Sequence, residues 1–203
     1  MRRFEESTFV FISTNRVHRP GGVEERWLPV MESLASRGAS VRFLCLMHTP
    51  MGEWARELPG IEVDPYILDM WNVIRARSRL RKYLKRYVPV AAHSTGLEAD
   101  LLLRWAARKV PLVKVAHTIT ESPQGTRRRR PVDALFRRFD ELGMRTHADA
   151  VFVEGEALAR EVRGAGVAGG SVVVDPPDAH DPSESIKRHL RVYQGFMAER
   201  GNE

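Results

Sequence analysis

The alternation of short apolar runs with amphipathic stretches constrains the fold of this chain more than any other feature. Seven runs have the composition of strands, at residues 8–14, 40–46, 61–68, 88–94, 111–118, 150–155 and 171–175. Apolar residues recur at helical spacing between them, as in Val23, Trp27, Val30, Met31 and Leu34. The pattern predicts an α/β fold, a single Rossmann-like domain of about seven mostly parallel strands with helices on both faces.

The length and charge fit one such domain with an anionic partner. A chain of 203 residues can bury a substantial core but is too short for two complete α/β domains. The 32 basic and 26 acidic residues leave a net charge of +6, which favours a phosphorylated metabolite, an acidic lipid surface or nucleic acid. A single cysteine, and no membrane-spanning run or signal peptide, predict a soluble, cytoplasmic protein that can still touch the inner face of a membrane.

The first candidate site lies in the loop after residues 8–14. Ligands of parallel sheets gather at the carboxyl ends of the strands, and here the chain passes Asn15 and His18 before entering a helix through Gly21 and Gly22. A glycine pair in this position either turns the chain or brings backbone amides close to a diphosphate. The residues themselves leave both interpretations open.

Two further loops carry polar residues at the same predicted edge of the sheet. His93 and Gly96 follow the fourth run in AAHSTG, and His117 and Thr118 end the fifth in KVAHTIT. Each of these residues taken alone is as readily structural as functional. The shared edge is what favours a site, since the carboxyl ends of parallel strands lie side by side.

Three segments in this order resemble a known family: PGGVEERWLPVMESLASRGASV, HSTGLEADLLLRWAARKVPLVKVAHTI and HADAVFVEGEALAREVRGAGV. Together, over about residues 9–175, they resemble the amino-terminal, acceptor-side domain of the retaining family 4 glycosyltransferases, which have the two-domain GT-B architecture. The resemblance implies that Gly21 and Gly22 approach the diphosphate of a nucleotide-sugar donor and that the catalytic His117 lies beside the transferred sugar. It gives His93 and Gly96 a role in shaping the acceptor site, and it implies no metal or other cofactor.

The sequence departs from this family where a second domain would follow. Family members bind most of the nucleotide sugar in a second Rossmann-like domain, whereas here DPPDAHDP leads directly into SESIKRHLRVYQGFMAERG. That last segment resembles the helix by which the family's carboxyl terminus returns to the first domain. We therefore expect a domain over residues 1–180 and a carboxyl-terminal crossover-type helix over 181–203 that packs back on it.

The missing half of the cleft decides what the resemblance implies about activity. Transfer requires charge stabilisation across a closed cleft, which half a cleft does not supply. The implied function is therefore acceptor recognition, with weak binding of a nucleotide sugar. Either a separate donor-binding domain or subunit completes the transfer of the sugar to a lipid-linked, glycan or small-molecule acceptor, or the chain is an acceptor domain taken from a longer protein, or it is a binding relic.

Two basic segments bear on the acceptor. Residues 74–87, IRARSRLRKYLKRY, form either a helix on an anionic bilayer, with its aromatic rings at headgroup level, or an ordinary solvated helix face. Residues 126–139, TRRRRPVDALFRRF, correspond to the family's acceptor loop, so that Arg127 and Arg128 could clamp a phosphate, or they form a charged loop without a ligand.

An alternative function is a non-catalytic basic module that binds an anionic membrane or nucleic acid. Arginine-rich patches near tyrosine and tryptophan are typical of nucleic-acid binding. Nucleic acid explains the charge but not the glycines and histidines at the strand ends, which makes it the less favoured partner. The sequence has no phosphate loop of the GxxxxGK[ST] type, no GxGxxG, no GxSxG, no HExxH and no paired-cysteine zinc spacing.

Overall fold

A computed structural model describes residues 3–13, 23–45, 57–64, 73–119, 148–167, 171–175 and 182–201. Within these ranges seven strands form one parallel sheet. They are β1 (Thr8–Ser13), β2 (Ser40–Cys45), β3 (Ile61–Asp64), β4 (Ala91–Thr95), β5 (Lys114–Ile119), β6 (Ala150–Glu154) and β7 (Val172–Asp175).

The described α-helices alternate with these strands, as the sequence pattern predicts. They are α1 (Val23–Ala35), α2 (Val73–Tyr87), α3 (Leu97–Ala107), α4 (Gly155–Gly164) and α5 (Pro182–Arg200). None of the helices in the described ranges is long and apolar enough to cross a bilayer.

The strand order is β3-β2-β1-β4-β5-β6-β7. The chain therefore moves outward from β1 to β3, returns to place β4 beside β1, and then moves outward on the other side to β7. Strand order reverses between β1 and β4, and sheets of this kind bind their ligands outside the carboxyl ends of the strands at such a point.

The helices cover both faces of the sheet. Successive residues of a strand point to opposite faces, and the buried strands are apolar on both. Phe9 and Phe11 of β1 pack in the cluster that contains Trp27 of α1 and Tyr193 of α5. Val10 and Ile12 lie in a second cluster, formed with α2 and α3. The predicted α/β class, with a parallel sheet between two helical layers, is confirmed.

Helix α5 packs against α1 and the sheet along its whole length. Tyr193, Phe196 and Met197 belong to the core cluster of that face. Near its end, Glu199 forms an ion pair with Lys114 at 2.7 Å, and Arg200 donates to the carbonyl oxygen of Val88 at 3.0 Å. A helix therefore runs back over the sheet where the resemblance implies one, while the division of the chain at residue 180 stays a prediction.

Candidate functional site

The two predicted histidines lie inside neighbouring strands and not at their ends. In the register of β4 and β5, His93 pairs with Ala116, and Ser94 pairs with His117. Since paired residues of parallel strands point to the same face and successive residues to opposite faces, His93 and His117 point to opposite faces of the sheet. His93 meets α1 and α5, whereas His117 meets α3.

His117 forms a buried polar cluster with Ser94 and Asp100. Its Nδ1 atom lies 2.7 Å from the Ser94 hydroxyl and 3.0 Å from Oδ1 of Asp100. The Ser94 hydroxyl donates to the same carboxylate oxygen at 2.6 Å. Ser94 therefore gives its proton to Asp100, so Nδ1 of His117 must carry a proton and act as a donor to this pair.

The opposite nitrogen of His117 is an acceptor without a partner. Burial lowers the pKa of His117, while the nearby Asp100 carboxylate opposes this shift, so the ring is neutral and holds a single N–H. With that proton on Nδ1, Nε2 carries a lone pair. It is buried and has no hydrogen-bond partner in the described part of the chain. Such an atom accepts a hydrogen bond from a ligand hydroxyl or from a buried water.

The cluster has the residue types of a hydrolytic triad but not its geometry. In a triad, serine contacts Nε2 of the histidine and the carboxylate contacts Nδ1. Here Ser94 and Asp100 both contact Nδ1. Ser94 also donates its proton to Asp100 and not to the histidine, so the histidine does not activate it as a nucleophile.

His93 lies in a different set of contacts, which joins β4 to α5 and to β5. Its Nδ1 atom is 2.6 Å from the Tyr193 hydroxyl, and its Nε2 atom is 2.7 Å from the Thr118 hydroxyl. The ring is stacked with those of Phe11 and Phe152. Burial holds the pKa of His93 well below its usual range, with the neighbouring His189 and His117 acting in the same direction.

Helix α5 adds a third buried histidine to this face. The ring of His189 stacks on Phe152 with centroids 3.9 Å apart, and its Nδ1–H donates to the Ser185 carbonyl oxygen at 2.9 Å. The Ser185 hydroxyl donates to Asp175, at the end of β7. Burial lowers the pKa of His189, so the first turns of α5 are fixed to the sheet by a neutral imidazole.

Gly96 connects β4 to α3 with φ of +92°, a conformation that side-chain-bearing residues rarely adopt. The glycine is therefore required by the turn, and its predicted role in an acceptor site stays a prediction. The other predicted site residues lie outside the described residues: Asn15, His18, Gly21, Gly22, Arg127 and Arg128. Within the described ranges, no group of three histidine, cysteine, aspartate or glutamate side chains could hold a metal ion.

The basic segment at 74–87 is helical, and its two tyrosines are partly buried. Tyr83 donates a short hydrogen bond to Asp64, and the guanidinium of Arg42 lies 3.7 Å from the ring centre of Tyr87. Both tyrosines therefore contact side chains at the β2–β3 side of the sheet, and whether this helix lies on a bilayer stays a prediction. The outer face of α2 carries five exposed cations, Arg75, Arg79, Lys82, Lys85 and Arg86.

Sequence reasoning missed the partners of the histidines, although the pattern contains a signal for them. Asp100 lies on the buried side of α3, near Ala99 and Leu103, where a carboxylate needs a buried partner. Likewise Ser185 and His189 occupy the apolar stripe of α5 one turn apart. A polar residue within an apolar helical stripe indicates a hydrogen bond across the core, but does not say to which strand.

The sequence of the chain matches the glycosyl transferase 4-like domain family over residues 21–178. The chain belongs to this family. The match covers every strand from β2 to β7 and the helices α1 to α4, so it includes His117, Ser94 and Asp100, and also His93 and Thr118. No curated protein sequence is similar enough to the chain to count as a match.

Solved structures agree with this glycosyl transferase 4-like domain in fold. HepE from Anabaena, solved with UDP-glucose, superimposes with a TM-score of 0.66 at 11% identity, over 92% of this chain and 50% of that one. The lipopolysaccharide outer core galactosyltransferase WaaB gives 0.56 at 14% identity, over 82% and 44%. The UDP-GlcNAc 2-epimerase from Neisseria meningitidis, bound to UDP-GlcNAc, gives 0.55 at 15%, over 82% and 45%.

These similarities show a shared fold over part of each solved structure. The chain spans about half the length of the structures it matches, since 44% to 50% of HepE is covered. The shared half is a Rossmann-like domain of the GT-B architecture, as the sequence resemblance implies.

Proposed function

We propose that this glycosyl transferase 4-like domain is the acceptor-side half of a retaining glycosyltransferase and takes part in the transfer of a sugar from a nucleotide sugar. The observation that carries the proposal is the unpartnered Nε2 atom of His117, a neutral acceptor held in place by Asp100 and Ser94. A sugar hydroxyl is a donor of the kind that this atom lacks. The family and its nucleotide-sugar-bound structural neighbours support a sugar as the source of that hydroxyl.

The proposal includes a second, donor-binding domain or subunit. The leaving diphosphate needs donors arranged around its developing charge, and electrostatic stabilisation of this kind is usually the largest contribution to catalysis. The chain spans about half the length of HepE, and the other half of such a cleft would come from a second domain or a separate subunit. Gly21 and Gly22 keep their proposed place beside the diphosphate, and no metal is proposed.

The acceptor is proposed to be a lipid-linked molecule, a glycan or a small molecule, bound near an anionic membrane surface. Helix α2 has seven basic residues and no acidic one, and its outer face is exposed. Because Tyr83 and Tyr87 pack inward, this attraction would be electrostatic and would weaken as salt screens it. The comparisons give no support to the alternative of a non-catalytic binding module.

The proposal is tested by calorimetry of the full chain with UDP, GDP and their sugars. Without the donor-binding half, we expect a dissociation constant on the order of millimolar, about 4 kcal/mol of binding free energy. His117→Asn is the informative variant, because an asparagine amide can replace Nδ1–H toward Asp100 and Ser94 but has no atom at the position of Nε2. It should bind the nucleotide diphosphate like wild type and the nucleotide sugar more weakly.

His117→Gln is the matched variant, because its longer side chain puts a polar group near Nε2. We expect it to regain part of the affinity for the sugar. Failure of wild type to bind any of these nucleotides, or equal binding of the nucleotide sugars by wild type and His117→Asn, would contradict the proposal.

A further inference from the structure

The contacts of His93 form a continuous hydrogen-bond chain from α5 to the carboxyl edge of the sheet. It runs from the Tyr193 hydroxyl to Nδ1 of His93 at 2.6 Å, and from Nε2 of His93 to the Thr118 hydroxyl at 2.7 Å. Trp27 of α1 also donates its Nε1–H to the Thr118 hydroxyl oxygen, at 3.3 Å. Thr118 is the last residue but one of β5 and is half-buried, whereas Tyr193 and His93 are buried.

The direction in which protons are donated along this hydrogen-bond chain follows from a count of donors and acceptors. His93 is neutral and has one N–H, and the Tyr193 hydroxyl stays protonated because burial and Asp175 raise its pKa. Tyr193 has no other hydrogen-bond partner among the described residues, so its proton goes to Nδ1 of His93. The proton of His93 is then on Nε2 and is donated to Thr118.

This direction leaves Thr118 as a donor. Its hydroxyl oxygen accepts from Nε2–H of His93 and from Nε1–H of Trp27, which uses both of its lone pairs. The one remaining hydrogen-bonding group is the O–H of Thr118, and no third partner for it lies in the described ranges. The opposite tautomer of His93 would take this proton inward and leave the O–H of Tyr193 buried without an acceptor.

We infer that Tyr193 and His93 are positioning residues that fix the Thr118 hydroxyl as a hydrogen-bond donor to an oxygen atom of the bound nucleotide sugar. The inference rests on the proposed function, because it takes a nucleotide sugar as the ligand. Thr118 follows His117 directly and points to the other face of the sheet, so a hydroxyl donor on one face lies next in sequence to a nitrogen acceptor on the other. Because the Tyr193 hydroxyl fixes His93, α5 is also part of the site.

The first measurement concerns the tautomer of His93 and needs no ligand. Histidine-selective 15N labelling of the full chain, with His93 assigned by its absence from a His93→Gln variant, distinguishes a protonated Nε2 from a protonated Nδ1. We expect the proton on Nε2 in wild type, and a mixture of both tautomers in Tyr193→Phe, which keeps the ring but loses the hydroxyl. A proton on Nδ1 in wild type would overturn the inference whatever the ligand.

The second measurement is the affinity of the same variants for UDP and UDP-glucose. Thr118→Val should bind about tenfold more weakly, as expected for one lost hydrogen bond, and Thr118→Ser should bind like wild type. Tyr193→Phe should show a smaller loss. Tyr83→Phe, which removes a hydroxyl bonded to Asp64 of the outermost strand β3, is the matched control and should bind like wild type.

The two ligands separate the sources of the oxygen atom. A loss for both would assign it to the diphosphate, and a loss for UDP-glucose alone would assign it to the sugar. Thr118→Val that binds both like wild type overturns the inference while leaving the proposed function intact. Wild type that binds neither ligand overturns the proposed function and this inference together.

Discussion

The Nδ1 atom of His117 lies 3.0 Å from Oδ1 of Asp100, and this contact joins the interior of β5 to the first turn of α3. Arg104, one turn later on α3, is buried near the same carboxylate, whose charge counteracts the lowering of the Arg104 pKa by burial. The carboxylate of Asp100 thus accepts a hydrogen bond from His117 and stabilises the charge of Arg104. A side chain with two buried partners is more costly to change than either contact alone suggests.

Asp100→Asn should therefore destabilise the fold by about 1–3 kcal/mol, since it leaves buried polar groups poorly paired. It should also abolish the preference of His117 for a proton on Nδ1. Glu98→Gln is the control, because it makes the same chemical change at an exposed position of the same helical turn. Urea denaturation and the 15N spectrum of His117 measure both effects, and equal behaviour of the two variants would count against the assigned contacts.

The stability of the domain should fall as the pH drops below the usual histidine value. Burial lowers the pKa of His93, His117 and His189 below 6.5 in the folded protein, whereas the unfolded chain titrates near that value. Below it the unfolded chain binds more protons than the folded one, so acid favours unfolding. For three histidines the slope reaches about 4 kcal/mol per pH unit.

Chemical denaturation between about pH 7.5 and 5.5 measures this slope. His189→Phe keeps an aromatic ring on Phe152 and should reduce the slope by about a third, since one of three titrating groups is gone. A stability that does not change over this range would show that the three rings are accessible to protons in the folded state.

Most of the fold follows from the sequence because the strands are apolar enough to be recognised without their partners. The differences occur at the ends of the strands. The fourth strand is predicted at 88–94 and found at Ala91–Thr95, and the fifth is predicted at 111–118 and found at Lys114–Ile119. Thr95 looks like a loop residue, but it is the last residue of β4 and donates a hydrogen bond to the carbonyl oxygen of Thr118, a partner supplied by another strand.

The candidate site was predictable only in part, for the same reason. His93 and His117 attract attention as polar residues after apolar runs, yet nothing local shows that they face opposite sides of the sheet. That follows from the pairing of Ser94 with His117, which is a relation between strands far apart in sequence. Asp100 and Tyr193 acquire their roles only when α3 and α5 pack on the sheet.

The exposed cations of α2 should determine whether the domain binds acidic lipid. Replacing Arg79, Lys82 and Arg86 with Gln should abolish sedimentation with phosphatidylserine vesicles at low salt, at about 1 kcal/mol per charge near the surface. The control removes the same charge from exposed positions elsewhere, with Arg160, Arg163 and Arg191 replaced by Gln. Equal sedimentation of both variants would mean that net charge, and not α2, determines binding.

Val88 should tolerate glycine unusually well. It has φ of +40°, which is unfavourable for a β-branched side chain, and it is exposed at the end of α2. Val88→Gly relieves this conformation, so it should be at least as stable as wild type in spite of the greater freedom of the unfolded chain. Ile74→Gly, the same kind of change at an exposed helical position, should lose about 1 kcal/mol. Thermal denaturation of both variants measures the difference. A larger loss of stability for Val88→Gly than for Ile74→Gly would contradict this prediction.

The response of Nε2 of His117 to a nucleotide sugar tests the central proposal most directly. In the 15N spectrum of the full chain, the Nε2 resonance should shift when UDP-glucose is added and stay in place when UDP is added, because the proposed partner of this lone pair is a sugar hydroxyl. His189, whose Nδ1–H is bonded to the Ser185 carbonyl oxygen, serves as an internal reference for general changes in the fold. An Nε2 resonance that does not move at saturating UDP-glucose, or that moves equally with UDP, would contradict the proposal and leave His117 as a core histidine bonded to buried water.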